Sequence, residues 1–227
     1  LYYPYRLWNN KISKRVKPIF LTYTNGIFHL REYEFTDVEH YNSIILVKQK
    51  KYVVQEGTFN IEIIQEILNS IVTVEEPKIP FPQANSFERV INLCELLIQE
   101  EITSNYDFDA RQTDYYINAG KYLGVLQIGR DPVTNQIGCY LTNKGKQIFN
   151  VNIVDRQKEF VKIIVAHSAF KKTLELYFEL GEMPSKNEII YIMKSSNLYN
   201  VDSDSTYFRR ASTIIGWINW IMKQIEE

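Results

Sequence analysis

The chain has 227 residues, 45% of them apolar, enough for a real core in one large domain or in two to three small ones. A net charge of −1 excludes a globally basic nucleic-acid coat and leaves local basic faces open. Two widely separated cysteines, Cys94 and Cys139, lack metal-like spacing and fit a reduced, cytoplasmic protein. No apolar run is long enough for a bilayer span and no signal peptide is visible, so no membrane partner is expected. The chain opens on Leu1 rather than Met, from which a fragment of a longer protein is expected.

Residues 17 to 55 read as strands. "IFLTY" and "IFHLREYEF" flank Asn25-Gly26, a tight-hairpin signal because this pair tolerates positive φ at both turn positions. "SIILV" and "KKYVVQ" continue the pattern. In "TFNIEIIQEILNSI", Ile61, Ile64, Gln65, Leu68 and Ile71 recur at helical spacing, with Thr58 as the expected cap. Three prolines between Pro77 and Pro82 then prevent helix and pull the chain extended, which places a boundary there.

The pattern after the boundary is helical. Ser86 opens a helix through "SFERVINLCELLIQEE", in which Cys94 belongs to the apolar stripe. A short segment from Thr103 to Phe108 and a helix from about Asp109 to Leu123 follow. "GVLQIGR" and "IGCYLT" then read as strands joined by "DPVTNQ", and "NKGKQIFN" opens a further helix. Helices followed by a β-hairpin give the order of a winged helix-turn-helix. From residue 155 the theme returns, with Gly181 as a C-cap, a capping box at Ser185 and Glu188, and a last helix over "DSTYFRRASTIIGWINWI".

"YINAGKYLGVL" aligns without a gap to "FRRASTIIGWI", ninety-two residues downstream: Tyr116 with Phe208, Ala119 with Ala211, Leu123 with Ile215, Gly124 with Gly216, Leu126 with Ile218. This reads as the third helix of two tandem units. The expected fold class is α+β: a small β-rich N-terminal region over residues 1–80, then two mostly α-helical winged helix-turn-helix-like units over 84–152 and 153–227.

On that reading residues 208, 211, 215, 218 and 222 form the inward stripe of the last helix, and Arg209 and Arg210 flank its outward face. Ser205 and Thr206 precede them, and Thr213 lies one turn on. The N-terminal residues of a recognition helix reach base edges, and arginine's planar fork pairs with guanine or with phosphate. The bland alternative is that both arginines are solvated, or paired with Asp202 and Asp204. In the first unit Arg111, Gln112, Thr113, Asp114, Tyr115, Asn118 and Lys121 project outward, and Gln112 and Asn118 are suited to adenine. Lys121, Arg130, Lys144 and Lys146 are placed to meet the DNA backbone, Arg130 from the wing.

Catalysis finds little support. His29, His40 and His167 are scattered, and no Gly-rich phosphate loop occurs. The usable acid-x-Lys triplet, Glu76-Pro77-Lys78, sits among the prolines without a strand-borne carboxylate upstream, and is rejected as a metal site.

Together "KPIFLTYTNGIFHLREYEF", "YNSIILVKQKKYVV", "DFDARQTDYYINAGKYLG", "LTNKGKQIF" and "TYFRRASTIIGWINWI" resemble the DNA-reading C-terminal portion of certain bacterial type II restriction endonucleases. The resemblance implies a module that reads double-stranded DNA beside a nuclease domain, most naturally N-terminal to residue 1. It implies DNA contact along Arg111 to Lys121 and Ser205 to Thr213, and Mg²⁺ for the parent nuclease with no cofactor in this piece. A homodimer stays open. The alternatives are a stand-alone winged-helix transcriptional regulator and a protein-interaction scaffold without nucleic-acid contact.

Overall fold

A computed structural model of the chain describes residues 1–24, 27–53, 59–98, 110–130 and 137–225. The fold is α+β, with a three-stranded antiparallel sheet first and a mostly helical region carrying a small hairpin after it. It divides into two compact units, 1–55 and 56–227.

The first unit begins with helix α1 (Tyr2–Asn9), followed by strands β1 (Ile19–Thr24), β2 (Ile27–Phe35) and β3 (Ile44–Val53) in the order β1-β2-β3. β1 and β2 pair through to Thr24 opposite Ile27. The expected Asn25-Gly26 turn itself lies outside the described residues. "IILV" and "KKYV" belong to one continuous strand, and the register shift between Glu32 and Tyr33, which leaves Val47 without a partner, marks a bulge in β3. Phe35 is the one buried large hydrophobic side chain among this unit's described residues, at 5% exposure. Tyr5 stacks on it at 4.9 Å and Tyr2 meets it edge-on at 5.4 Å, which docks α1 on the end of β2.

The second unit holds α2 (Ile61–Ser70), α3 (Phe87–Ile98), α4 (Ala110–Tyr122), the hairpin β4 (Leu126–Arg130) and β5 (Ile137–Leu141), then α5 (Asn143–Phe149), α6 (Ile153–Val165), α7 (Ser168–Leu180), α8 (Lys186–Lys194) and α9 (Asp204–Met222). Side-chain caps start several of them. Asn60 accepts from the Ile63 amide at 3.1 Å, and Thr142, Asn152 and Ser203 cap α5, α6 and α9 in the same way. The expected Thr58 cap lies outside the described residues, as do the segment 103–108 and the turn 131–136. The Ser185–Glu188 capping box forms, and Gly181 ends α7 at φ 75°.

One continuous core runs through this unit from Phe59 to Ile221. The expected boundary near residue 80 is therefore displaced to residue 55, because α2 buries Ile64, Ile67 and Leu68 in the helical core. Residues 84–152 and 153–227 share that core as well. The proline segment is not a solvated linker. Phe81 stacks on Phe170 at 5.5 Å, and residues 82–85 lie along α9, where three side chains receive them. Thr213 donates to the Pro82 carbonyl at 3.1 Å, the Trp217 indole donates to the Ala84 carbonyl at 2.7 Å, and Arg210 donates to Gln83 Oε1 at 2.9 Å. Proline denies this stretch its own helix, so its carbonyls find donors on a neighbour.

Candidate nucleic-acid interface

α4 turns Tyr116 and Ala119 inward, and Leu123 just beyond its end is buried with them, as expected from the sequence. Asp114 is exposed; Tyr115, Asn118 and Lys121 are half-buried. Arg111, Gln112 and Thr113 lie on the first turns of α4, and their side chains fall outside the described residues. Gly124, at φ 71°, terminates the segment in a left-handed conformation.

Lys144, expected to meet the DNA backbone, also has a partner within the protein. Its ammonium folds back and donates to the Leu123 carbonyl at 3.2 Å, satisfying the C-terminal end of α4. Burial holds its pKa below the ordinary lysine value. Thr142 reinforces the same corner by donating to the Gly124 carbonyl at 2.7 Å. Lys146 points to solvent on α5, and Arg130 is exposed at the end of β4.

α9 departs more from the expected stripe. Ala211, Ile214, Trp217, Ile218 and Ile221 are all fully buried, whereas Phe208 is 54% exposed and Ile215 and Met222 are only half-buried. The reason is the second layer made by residues 82–85, which rotates the covered arc toward Arg210, Thr213 and Trp217. Thr213, expected to face DNA, is 1% exposed. Arg210 is half-buried and anchors the extended segment through Gln83. Burial first, and then Arg209 beside it, hold its pKa below the ordinary arginine value, while Tyr115 acts in the other direction.

The paired glycines also part company. Gly124 supplies a positive φ, while Gly216 lies mid-helix, where an added Cβ would stand 1.9 Å from the Asn85 carbonyl oxygen. Leu126 is in a strand and Ile218 in a helix, so the ninety-two-residue frame does not describe two equivalent helices. The connection from α8 to α9 runs from residue 195 to 203, longer than the three- to four-residue turn typical of the helix-turn-helix.

An exposed turn at the start of α9 survives. Ser203 accepts from the Thr206 amide at 3.3 Å, Ser205 is exposed, and Thr206 is half-buried with its hydroxyl 2.8 Å from Ser203 Oγ. Arg209 stays exposed, held by long hydrogen bonds to the Ser205 carbonyl (3.4 Å) and the Thr206 hydroxyl (3.5 Å). Asp204, one of the acids weighed as an arginine partner, pairs instead with Lys194 at 2.7 Å. That hydrogen bond holds the carboxyl low and the ammonium high. Sequence reasoning missed Lys186, whose ammonium sits 3.6 Å above the exposed Phe208 ring. Its only sequence signal was its place beside the Ser185 cap.

Glu76, the carboxylate of the rejected triplet, has an 8% exposed side chain that accepts from the Tyr122 hydroxyl at 2.6 Å and lies 3.4 Å from His167 Nδ1. Tyr122 stacks on His167 at 4.1 Å. Both contacts use Oε2, and Oε1 is buried without a hydrogen-bond partner. Among the described residues no group of three or more His, Cys, Asp or Glu stands close enough to hold a metal ion, so this lone carboxylate does not fit Mg²⁺. Among the described residues, no helix is long and apolar enough to cross a membrane.

No curated protein and no solved structure is detectably similar to the chain. Residues 1–53, close to the span of the first compact unit, match the model of the family described as Domain of unknown function (DUF6997). Residues 89–226, running from α3 through α9, match the model described as Domain of unknown function (DUF7226), and the chain belongs to that family.

Proposed function

We propose that the chain is a sequence-specific reader of double-stranded DNA serving a bacterial restriction endonuclease. The observation that carries this reading is the exposed N-terminal turn of α9, where Ser205, Thr206 and Arg209 stand together. The first turn of a helix offers unpaired amides and a positive dipole end to phosphate, and arginine there reaches the guanine edge. Arg210 acts from behind, fixing the helix through Gln83 rather than touching DNA. Asn118 and Lys121 on α4 supply the second set of contacts.

The test is retention of random duplexes by the full chain at two salt concentrations, with sequencing of the retained molecules. The expected result is a short enriched motif, with affinity falling as salt rises. A motif unchanged in Arg209→Ala would remove α9 from the reading. A second reading, a protein-interaction scaffold without nucleic-acid contact, is favoured by the acidic balance of residues 56–227, which hold 17 Lys and Arg against 23 Asp and Glu. It predicts no retained duplex even at low salt.

A further inference from the structure

The charge of the chain is unevenly divided. Residues 1–55 carry nine Lys and Arg against four Asp and Glu, a net of +5, within a chain of net charge −1. A polyanion therefore meets its most favourable surface in the small N-terminal unit.

The register of the sheet adds a second feature. Tyr23, Phe28 and Tyr52 stand directly opposite one another across β1, β2 and β3, and opposed side chains share a face. Tyr23 and Phe28 have ring centroids 4.7 Å apart, and Tyr23 and Tyr52 are 63% and 48% exposed. The next rows on the same face are Leu21, Leu30 and Lys50, then Ile19, Glu32 and Lys48. The Lys50 ammonium lies 5.9 Å from the Tyr52 ring centre. Glu32, the carboxylate of this face, is paired with Lys17 at 2.8 Å, so it does not set an uncompensated negative charge there.

From this juxtaposition we infer that the aromatic face of the three-stranded sheet binds single-stranded DNA. The bases stack on Tyr23, Phe28 and Tyr52, and Lys48 and Lys50 meet the phosphates. Neighbouring strands lie about 4.8 Å apart, so the row spans roughly 10 Å, room for two to three splayed bases. A duplex keeps its base faces stacked inside and cannot use such a row. Ile19, Leu21 and Leu30 make up the aliphatic part of the face, and among the described residues of these three rows there is no amide, serine or threonine to recognise a ribose 2′-hydroxyl, which favours DNA over RNA. The inference stands apart from the duplex reading, since it uses no residue of α4 or α9.

Fluorescence anisotropy of the full chain with labelled oligothymidylate of about 15 nucleotides tests it. The wild type is expected to bind with an affinity that falls as salt rises. Tyr23→Ala and Tyr52→Ala each weaken binding roughly tenfold, and Tyr52→Phe, which keeps the ring, stays within about twofold of wild type. Lys48→Glu with Lys50→Glu removes most of the salt dependence. Arg209→Ala leaves this binding unchanged. Alanine variants that bind like wild type, a Tyr52→Phe variant as weak as Tyr52→Ala, or no binding at low salt would each overturn the inference. Equal or tighter binding of oligouridylate of the same length would overturn the assignment to DNA.

Discussion

The two compact units handle apolar surface in opposite ways. The helical unit buries Trp217, Phe87, Phe160 and Phe170 in one aromatic core, with Trp217 stacked on Phe170 at 4.9 Å and meeting Phe87 at 5.0 Å. The sheet unit leaves Phe20, Leu21, Tyr23, Leu46 and Tyr52 exposed and, among its described residues, buries one large hydrophobic side chain, Phe35. The first pattern belongs to a core and the second to a surface that awaits contact. Large effects on stability therefore belong to the helical unit, and large effects on binding without loss of stability belong to the sheet and to the start of α9.

The widest contrast is between two aromatic truncations. Trp217→Ala is expected to cost about 3–5 kcal/mol, since it removes buried rings and leaves the Ala84 carbonyl without its donor. Tyr23→Ala is expected within about 0.5 kcal/mol of wild type. Urea unfolding followed by far-ultraviolet circular dichroism measures both, and equal losses would break the comparison.

The paired glycines sharpen it. Gly216→Ala forces a methyl group into the Asn85 carbonyl and should cost about 1–3 kcal/mol, as overpacking does. Gly124→Ala would meet only the Lys144 ammonium, at an ordinary contact distance of 4.0 Å, and suffers its positive φ, about 1 kcal/mol. The adjacent arginines divide more finely. Arg210→Ala should lose roughly 1–2 kcal/mol with its bond to Gln83, while Arg209→Ala should leave the unfolding midpoint unchanged.

The smallest effect is on pH dependence. Asp204 and Glu188 have carboxyl pKa values held below their ordinary ranges, Asp204 by the hydrogen bond from Lys194 and Glu188 by those of the Ser185 cap. A carboxyl with a depressed folded pKa stabilises fully above its unfolded value and loses that contribution as pH falls through the folded one. Stability should therefore hold from neutral to about pH 5 and decline below it, and Asp204→Asn should flatten part of that slope. An unchanged slope in that variant would remove the Lys194 pair from the account.

Local signals in the sequence carried the elements well. The β-rich runs flanking Asn25-Gly26 gave β1 and β2, the Ser185 box and Gly181 gave two helix ends, and the inward set Tyr116, Ala119 and Leu123 held. What failed was tertiary in origin. Nothing local to Arg210 or Thr213 says that residues 82–85 will lie against them, 127 and 131 positions away in the two hydrogen bonds formed. Proline density read as a boundary because its local effect, loss of helix, is the same in a linker and in a packed extended segment. The bond from Lys144 to the Leu123 carbonyl was hidden for a similar reason, since a lysine that caps a distant helix looks like any surface lysine. The row Tyr23, Phe28 and Tyr52 was hidden because register across three strands is fixed by pairing, not by spacing along one strand.

The most direct test crosses two variants with two ligands. Affinities of Arg209→Ala and Tyr52→Ala are measured for the duplex selected by the wild type and for oligothymidylate. The account predicts that Arg209→Ala loses the duplex and keeps the single strand, and that Tyr52→Ala does the reverse. If each variant weakens both ligands alike, or neither weakens either, the assignment of duplex reading to α9 and single-strand binding to the sheet is wrong.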